Sequence, residues 1–313
     1  MFFLTCLTRK GGIRRATRAD FIHNGGFHEA VGPLLVIAQC FCLMPVRGIL
    51  AATPKGLSFR WKCFRTWYCI LYILATIADT GLTINMVVKG VLDVRNIEPL
   101  IFHANILLAS FGFLRLAAKW PQLMRKWQRV ERQLPPHQSW RDREALSVRV
   151  HKVMPESYWT RTRLQYRLIC ELIEQVDASI SGLTMLSFAN NLYFVCIQLL
   201  KSMNTMPSVA HFVYFYASLS FLLGRTLAVS LYLSEVNDRS RKPLRIIKLI
   251  PKEGYHPEVD RLCHEIGMDT IALTGLQYFN VTRGLVLTVA GTIVTYELVL
   301  IQFHEDQNLW NCN

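Results

Sequence analysis

Long apolar stretches alternate with basic ones along the 313 residues of this chain. Five apolar windows, 66–88, 100–118, 179–200, 211–233 and 284–303, are each long enough to cross ~30 Å of hydrocarbon as a helix rising ~1.5 Å per residue. The pattern predicts an all-α fold, a polytopic transmembrane bundle with five spans. A sixth apolar run, PLLVIAQCFCLMPVRGIL at 33–50, is shorter and carries Pro45 and Arg47 near one end. It predicts a re-entrant or interfacial helix on the cytoplasmic side. Composition agrees, because 51% hydrophobic and 18% charged residues are too apolar a balance for a soluble protein of this size.

Charge fixes the expected orientation. Residues 1–65 hold ten Lys and Arg against two acids, the linker 89–99 two of each, and 119–167 twelve basic against four acidic residues. The linker 201–210 holds only Lys201, 237–282 holds seven basic residues, and the tail HEDQNLWNCN has two acids and no Lys or Arg. With five spans every basic segment falls inside, which predicts a cytoplasmic amino terminus and an extracellular carboxyl terminus. The expected organisation is a cytoplasmic region 1–65, a transmembrane bundle 66–236 with the basic linker 119–167, a cytoplasmic region 237–278, a last helix 279–303 and an extracellular tail 304–313. This is the reverse of a G-protein-coupled receptor, whose acidic-arginine pair NDRS at 237–240 matches in two residues only; a solvated turn after a helix accounts for it equally well. The net charge of +13 is spread between apolar stretches and forms no continuous basic module, so nucleic acid is not an expected partner.

Polar residues inside the windows are the candidate functional groups: Asp79, His103, Asn105, Asn190, Asn191, Gln198, Arg225, Glu297 and Gln302. A charge at bilayer mid-depth costs ~2.5–3.5 kcal/mol on insertion scales, so Asp79, Arg225 and Glu297 must face protein, another charge or water. The plain structural alternative is pairing within the bundle, with Asp79 or Glu297 meeting Arg225. Asn191, Phe194 and Gln198 share a helix face with Ser187 one turn earlier, and Tyr214, Ser218, Phe221 and Arg225 make a similar stripe on the next window. Such amides, hydroxyls and rings suit a small polyhydroxylated ligand, or serve as polar helix contacts.

The last window has its own one-sided pattern. Thr288, Thr292, Thr295, Val299 and Gln302 recur every three or four residues, a stripe that can line water. Around a symmetry axis Val299 would form a constriction that gates by dewetting, with Gln302 at its outer edge. Glu297 points off that stripe. Tyr278 and NVTRG at 280–284 mark an interfacial break before the helix enters the membrane. Enzyme chemistry is not in view, since GxSxG, GxxxxGK[ST] and HExxH are all missing and CHEIG at 263–267 lacks a second histidine. No cofactor is expected. His23 and His28 flank NGGF without the four ligands a metal site needs, and the nine cysteines show no CxxC pair.

The stretch TYELVLIQF at 295–303 resembles the closing signature of insect gustatory receptors, carried here by Thr295, Tyr296, Gln302 and Phe303. FHEAVGPLLVIAQCFCLMPVRGI (27–49), LSFRWKCFRTWY (57–68), RLQYRLICELIEQVDASISGLTMLSFANNLYFVCIQLL (163–200) and VTRGLVLTVAGTIVTYELVLIQF (281–303) are similar to the sugar-sensing branch of that family. The resemblance implies a plasma-membrane, sugar-gated cation channel built as a homo- or hetero-tetramer with other gustatory receptor subunits, seven spans per subunit. Thr295, Val299 and Gln302 would then face the pore, and His103, Asn190, Asn191, Gln198 and Tyr214 are the candidate ligand-pocket residues. It also implies that 237–278 is an anchor joining subunits. Where the family has seven spans this chain has five: KWQRVERQLPPHQSWRDREALSVRVHKV (126–153) reads as the approach to a third span, and MPESYWTRTRLQYR (154–167) already as the approach to a fifth. The expectation is a shortened chain, a splice isoform or incomplete gene model, in which the third and fourth spans are missing at 153/154.

Overall fold

The computed structural model describes residues 26–51, 53–89, 94–134, 155–202, 208–250 and 255–310. His23 and the expected break at 153/154 lie outside the described residues, as do the side chains of Glu297 and Phe303. The elements are α1 (Phe27–Cys40), a 3-10 turn (Pro54–Gly56), α2 (Phe64–Lys89), α3 (Val94–Gln133), α4 (Glu156–Ser202), α5 (Val209–Ile247), α6 (Pro257–Met268), a short hairpin β1 (Thr274–Gly275) and β2 (Phe279–Asn280), and α7 (Arg283–Trp310). Among the described residues four helical stretches are long and apolar enough to cross a membrane: Phe64–Lys89, Ile97–Gln133, Glu156–Lys201 and Phe212–Ile247. The fifth expected span falls in α7, whose continuously described apolar part is the shorter Arg283–Tyr296.

Only 11–22% of the most apolar windows in these four helices is buried, and Leu71, Leu74, Leu82, Phe221 and Leu231 are all at least half exposed. Water would not tolerate apolar faces of this extent, whereas lipid covers them at no cost. Hydroxyls on these helices are satisfied by their own backbone: Thr80 donates to the Thr76 carbonyl (2.7 Å), Ser110 to Ile106 (2.8 Å), Thr226 to Leu222 (2.8 Å) and Ser230 to Thr226 (2.8 Å). This back-bonding lets Ser and Thr sit in hydrocarbon without an external partner.

The helices run well beyond the apolar windows. At ~1.5 Å per residue the 40 residues of α3 and the 47 of α4 span roughly 60 and 70 Å, about twice the hydrocarbon thickness. The basic segments read as linkers are therefore partly helical extensions. Likewise 237–240, taken as a turn after a span, lies within α5, which continues to Ile247. Its side chains are engaged: Asn237 donates to the Ile271 carbonyl (3.0 Å), Arg239 pairs with Glu235 one turn back, and Asp238 pairs with Arg283 at the start of α7.

The short apolar helix also differs from its expected bounds. It starts at Phe27 and ends at Cys40, not at 50, because Cys42 and Met44 take positive φ (59° and 54°) and Pro45 follows. Fourteen residues rise only about 21 Å as a helix, short of the hydrocarbon thickness.

The chain divides into two units. In one, comprising the described residues up to Leu183 with Arg241–Asp269, a core forms from Val31 and Leu35 of α1, Met44, Val46, Ile49 and Leu57 of the following loop, and Leu116, Ala117, Trp120, Leu123 and Met124 of α3. Phe27 stacks on Trp127 with ring centroids 4.0 Å apart. The loop is closed by the bridge Arg47–Ser58. Next to it Gly48 sits at φ +77°, where a Cβ would overlap the Gly56 carbonyl oxygen. Gly48→Ala is therefore expected to lower stability by about 1–3 kcal/mol, read as a drop in the thermal midpoint of detergent-purified protein; an unchanged midpoint would show that this loop does not hold the core.

A second core in the same unit docks α6. Val259, Leu262 and Ile266 pack on Trp159 of α4 and Ile247 at the end of α5. Ion pairs rim the contact: Arg163 lies 2.9 Å from Glu258 and 3.2 Å from Glu265, Arg167 pairs with Glu265, and Arg261 pairs with Glu258. Burial pushes the Glu265 carboxyl up, but the hydrogen bonds and charges of Arg167 and Arg163 outweigh it and hold the group below its ordinary value. A depressed folded value contributes stability above the unfolded carboxylate range of ~4.3, and that stability is lost as pH falls through the lower folded value. Glu265→Gln should remove part of the acid-induced loss of stability below that range, and an acid limb identical to wild type would count against the pairing.

The other unit comprises Thr184–Ser240 with the described residues from Thr270 onward. Its core joins Val195 and Leu199 of α4 to Phe215 and Leu219 of α5, with Ile293 of α7 packed against them. The hairpin turns at Leu276 and Gln277, both at positive φ, with the Tyr278 N–H donating to the Gly275 carbonyl (3.0 Å), as in a type I′ turn. Phe279 meets Phe188 edge-on at 5.5 Å. Thr282 then caps α7, its hydroxyl oxygen accepting from the Leu285 N–H (3.3 Å).

Candidate functional site

Two arrangements in the second unit carry chemistry. On α7, Thr288, Thr292, Thr295, Val299 and Gln302 are all exposed, while Ile293 and Val286 turn inward. Their spacing puts the threonine stripe on the side of the helix opposite Ile293. Each threonine hydroxyl donates to its own helix: Thr288 to Gly284 (3.1 Å), Thr292 to Thr288 (2.9 Å) and Thr295 to Gly291 (2.9 Å). That leaves the hydroxyl lone pairs facing outward as acceptors. Tyr296 is half exposed at 39%.

The second arrangement lies between α4 and α5. Gln198 Nε2 donates to the Ser218 hydroxyl at 2.9 Å, so the two stripes expected to face one another do meet at this pair. Asn191 is 2% exposed, and its Oδ1 and the Oε1 of Gln198 are buried with no hydrogen-bond donor among the described residues. Asn190 is half-buried, whereas Tyr214 is 73% exposed and stands apart from the buried amides. Phe221 is likewise exposed. Within its unit Asn191 shares the buried face of α4 with Thr184, seven residues earlier, a helical spacing that was present in the sequence.

His103 falls in the first unit, where its Nδ1 lies 2.8 Å from the Asp79 carboxylate. Asp79 thus has a partner 24 residues away in sequence on the adjacent helix, so that the charge and its partner stand on the two arms of one helical hairpin. His28 Nε2 lies 3.0 Å from the Ala51 carbonyl, a structural contact of the loop. Among the described residues no three His, Cys, Asp or Glu side chains gather as metal ligands.

Four apolar helices with lipid-facing surfaces, hydroxyls satisfied by their own backbone and buried amides between helices define a polytopic α-helical membrane protein. The sequence profile of the trehalose receptor family matches residues 9–153 and 143–312. Gustatory receptor 5a for trehalose of Drosophila melanogaster is 42% identical over 96% of this chain and 90% of its own length, and the Drosophila gustatory receptor for sugar taste 64f is 37% identical over 96% and 86%. The chain belongs to the trehalose receptor family. The insect olfactory receptor OR5 of Machilis hrabei, solved with eugenol, aligns over 90% of this chain and 83% of its own at 13% identity and a TM-score of 0.43.

Proposed function

We propose that the chain acts as a subunit of a sugar-gated, non-selective cation channel in the plasma membrane, with its amino terminus cytoplasmic and its carboxyl terminus extracellular. The observation that carries this reading is the 42% identity to the gustatory receptor for trehalose over nearly the whole chain. The exposed stripe of α7 supports the pore assignment, because a face of threonines, Val299 and Gln302 turned away from its own core suits a shared water-filled axis better than lipid. Four copies of α7 would place Val299 at the constriction and Gln302 at its outer mouth. The buried Asn191 and Gln198 oxygens have no donor among the described residues, and a sugar hydroxyl could supply one to each. Asn190, one residue from Asn191 on α4, remains a candidate for the same pocket, while Tyr214, which is exposed, and His103, which belongs to the other unit, are candidates on their own. Segment 237–278 would join the subunits.

The chain is also a shortened form. An alignment of 399 positions with the trehalose receptor on a chain of 313 residues leaves at least 86 positions, 399 less 313, that this chain does not fill. Two spans of ~20 residues with their linkers account for a gap of that size. The family profile also matches in two pieces that meet at 143–153, next to the proposed break at 153/154. Long-transcript and genomic sequencing across those codons tests this: an in-frame segment encoding two further apolar helices is the expected finding, and contiguous codons in the genome and every transcript would refute it.

The missing length favours one second reading, a non-conducting subunit that assembles with full-length receptors and tunes them. Co-purification with a full-length partner and no sugar-evoked current from this chain alone would select it.

A further inference from the structure

A cleft of about 210 Å³ opens between the end of α1, the turn that follows it and the beginning of α2. Val36, Leu43 and Pro45 give it apolar walls, and Gln39, Arg65 and Tyr68 give it a polar side. Gln39 builds the turn: its Nε2 donates to the Met44 carbonyl (3.0 Å) and the Val46 carbonyl (2.6 Å), and its Oε1 accepts from Arg65 Nη1 (3.0 Å). Arg65 Nη1 also donates to the Val46 carbonyl (3.2 Å). One nitrogen of the guanidinium is thereby fixed at the cleft, and the side chain is exposed and pairs with no carboxylate among the described residues.

The surroundings carry the same chemistry. Arg47, Lys55, Arg60 and Lys62 are all exposed, and residues 41–65 contain no Asp or Glu. The same stretch of sequence carries exposed Phe41 (68%), Trp61 (61%), Phe64 (83%) and Trp67 (62%), and the apolar face of α2 begins directly afterward with Leu71 and Leu74. Aromatic side chains at the point where an apolar span starts are the mark of a membrane-water boundary. A basic pocket at that boundary meets the negative surface of the inner leaflet.

We propose that this cleft binds the head group of an anionic phospholipid from the cytoplasmic leaflet. The phosphate sits on the Arg65 guanidinium, whose remaining N–H groups make charge-assisted hydrogen bonds to its oxygens. Arg60 and Lys62 hold further negative charge of the head group, and the acyl chains run along exposed Val36, Ile37 and Leu71. A water takes ~30 Å³ of liquid volume, so the cleft has room for a phosphodiester in place of several waters but not for the tails. The consequence is that α1, which is too short to cross the membrane, is held to the inner leaflet through a lipid that bridges it to α2. Sidedness rests on the orientation proposed above; the chemistry of the cleft does not.

Native mass spectrometry of the full chain in detergent, titrated with dioleoylphosphatidylserine or dioleoylphosphatidylcholine, tests the site without reference to channel activity. Phosphatidylserine should be retained at lower lipid concentration than phosphatidylcholine. Arg65→Gln, and separately the double variant Arg60→Gln with Lys62→Gln, should weaken retention by roughly fivefold per charge removed. The double variant leaves the Gln39–Arg65 contacts intact, so it remains informative if Arg65→Gln does not fold. Soluble glycerophosphoserine should compete only weakly, because it lacks the chains; full competition would make this a site for a free phosphate ester and overturn the lipid assignment. Equal retention of both lipids, or of wild type and both variants, would overturn the site itself. Cys40, which is exposed at the rim of the cleft, should react with a membrane-impermeant maleimide only in permeabilised cells. With Cys312 of the tail replaced by Ser and the label mapped to Cys40 by peptide mass spectrometry, labelling of Cys40 in intact cells would refute the cytoplasmic side while leaving selective lipid retention to stand.

Discussion

Arg163→Met is expected to destabilise the protein by about 3–5 kcal/mol, the usual loss when one partner of a buried ion pair is removed. Arg163 is 18% exposed and faces two carboxylates, and the Glu258 side chain is only 7% exposed. Without Arg163, Glu258 keeps Arg261, which is 63% exposed and so shares its charge with water. The contrast is Arg167→Ala: Arg167 is 54% exposed, and its removal should cost no more than about 1 kcal/mol. Combining Arg163→Met with Glu258→Leu should recover much of the loss, since a well-packed apolar pair avoids the desolvation of both charges. Thermal midpoints of the purified protein separate these outcomes. If Arg163→Met and Arg167→Ala behave alike, the docking of α6 depends on Val259, Leu262 and Ile266 alone.

The second large effect belongs to α7. Gln302→Ala should change unitary conductance or gating while leaving surface expression close to wild type. The reason is placement: Gln302 is exposed on the same side as Thr295 and Val299, away from Ile293 and the core it joins. Removing an exposed amide costs the fold little, whereas at the proposed pore mouth it would remove a dipole that passing ions meet in place of water. Ile293→Ala supplies the opposite pattern. It empties part of the contact with Val195, Leu199, Phe215 and Leu219, and the expected loss of about 2–3 kcal/mol should appear as reduced surface protein.

Four of the five expected spans were legible because hydropathy over some twenty residues is a property of composition, and lipid selects for it directly. The stripe on α7 was legible for a related reason: three- and four-residue recurrence needs only that the segment be helical. What periodicity did not reveal are contacts between segments distant in sequence. Asp79 finds His103, Arg163 finds Glu258 and Glu265 about a hundred residues away, and Gln39 finds the Met44 and Val46 carbonyls through a turn with two left-handed residues. Nor did it show α3, α4 and α5 continuing through charged sequence, because Arg, Lys, Glu and Gln are good helix formers whose polarity signals only the end of the membrane. Tyr214 shows the converse limit: it shares a stripe with Ser218 by spacing, yet it is exposed while Ser218 meets Gln198.

Whether this chain conducts is read most directly from whole-cell current in cells that express it alone, with trehalose and other sugars applied outside and surface protein quantified in the same cells. The expected result is a sugar-evoked cation current that Gln302→Ala alters at matched surface expression. Abundant surface protein with no evoked current would contradict the channel function, and a current that Gln302→Ala leaves unchanged would contradict the placement of Gln302 at the pore.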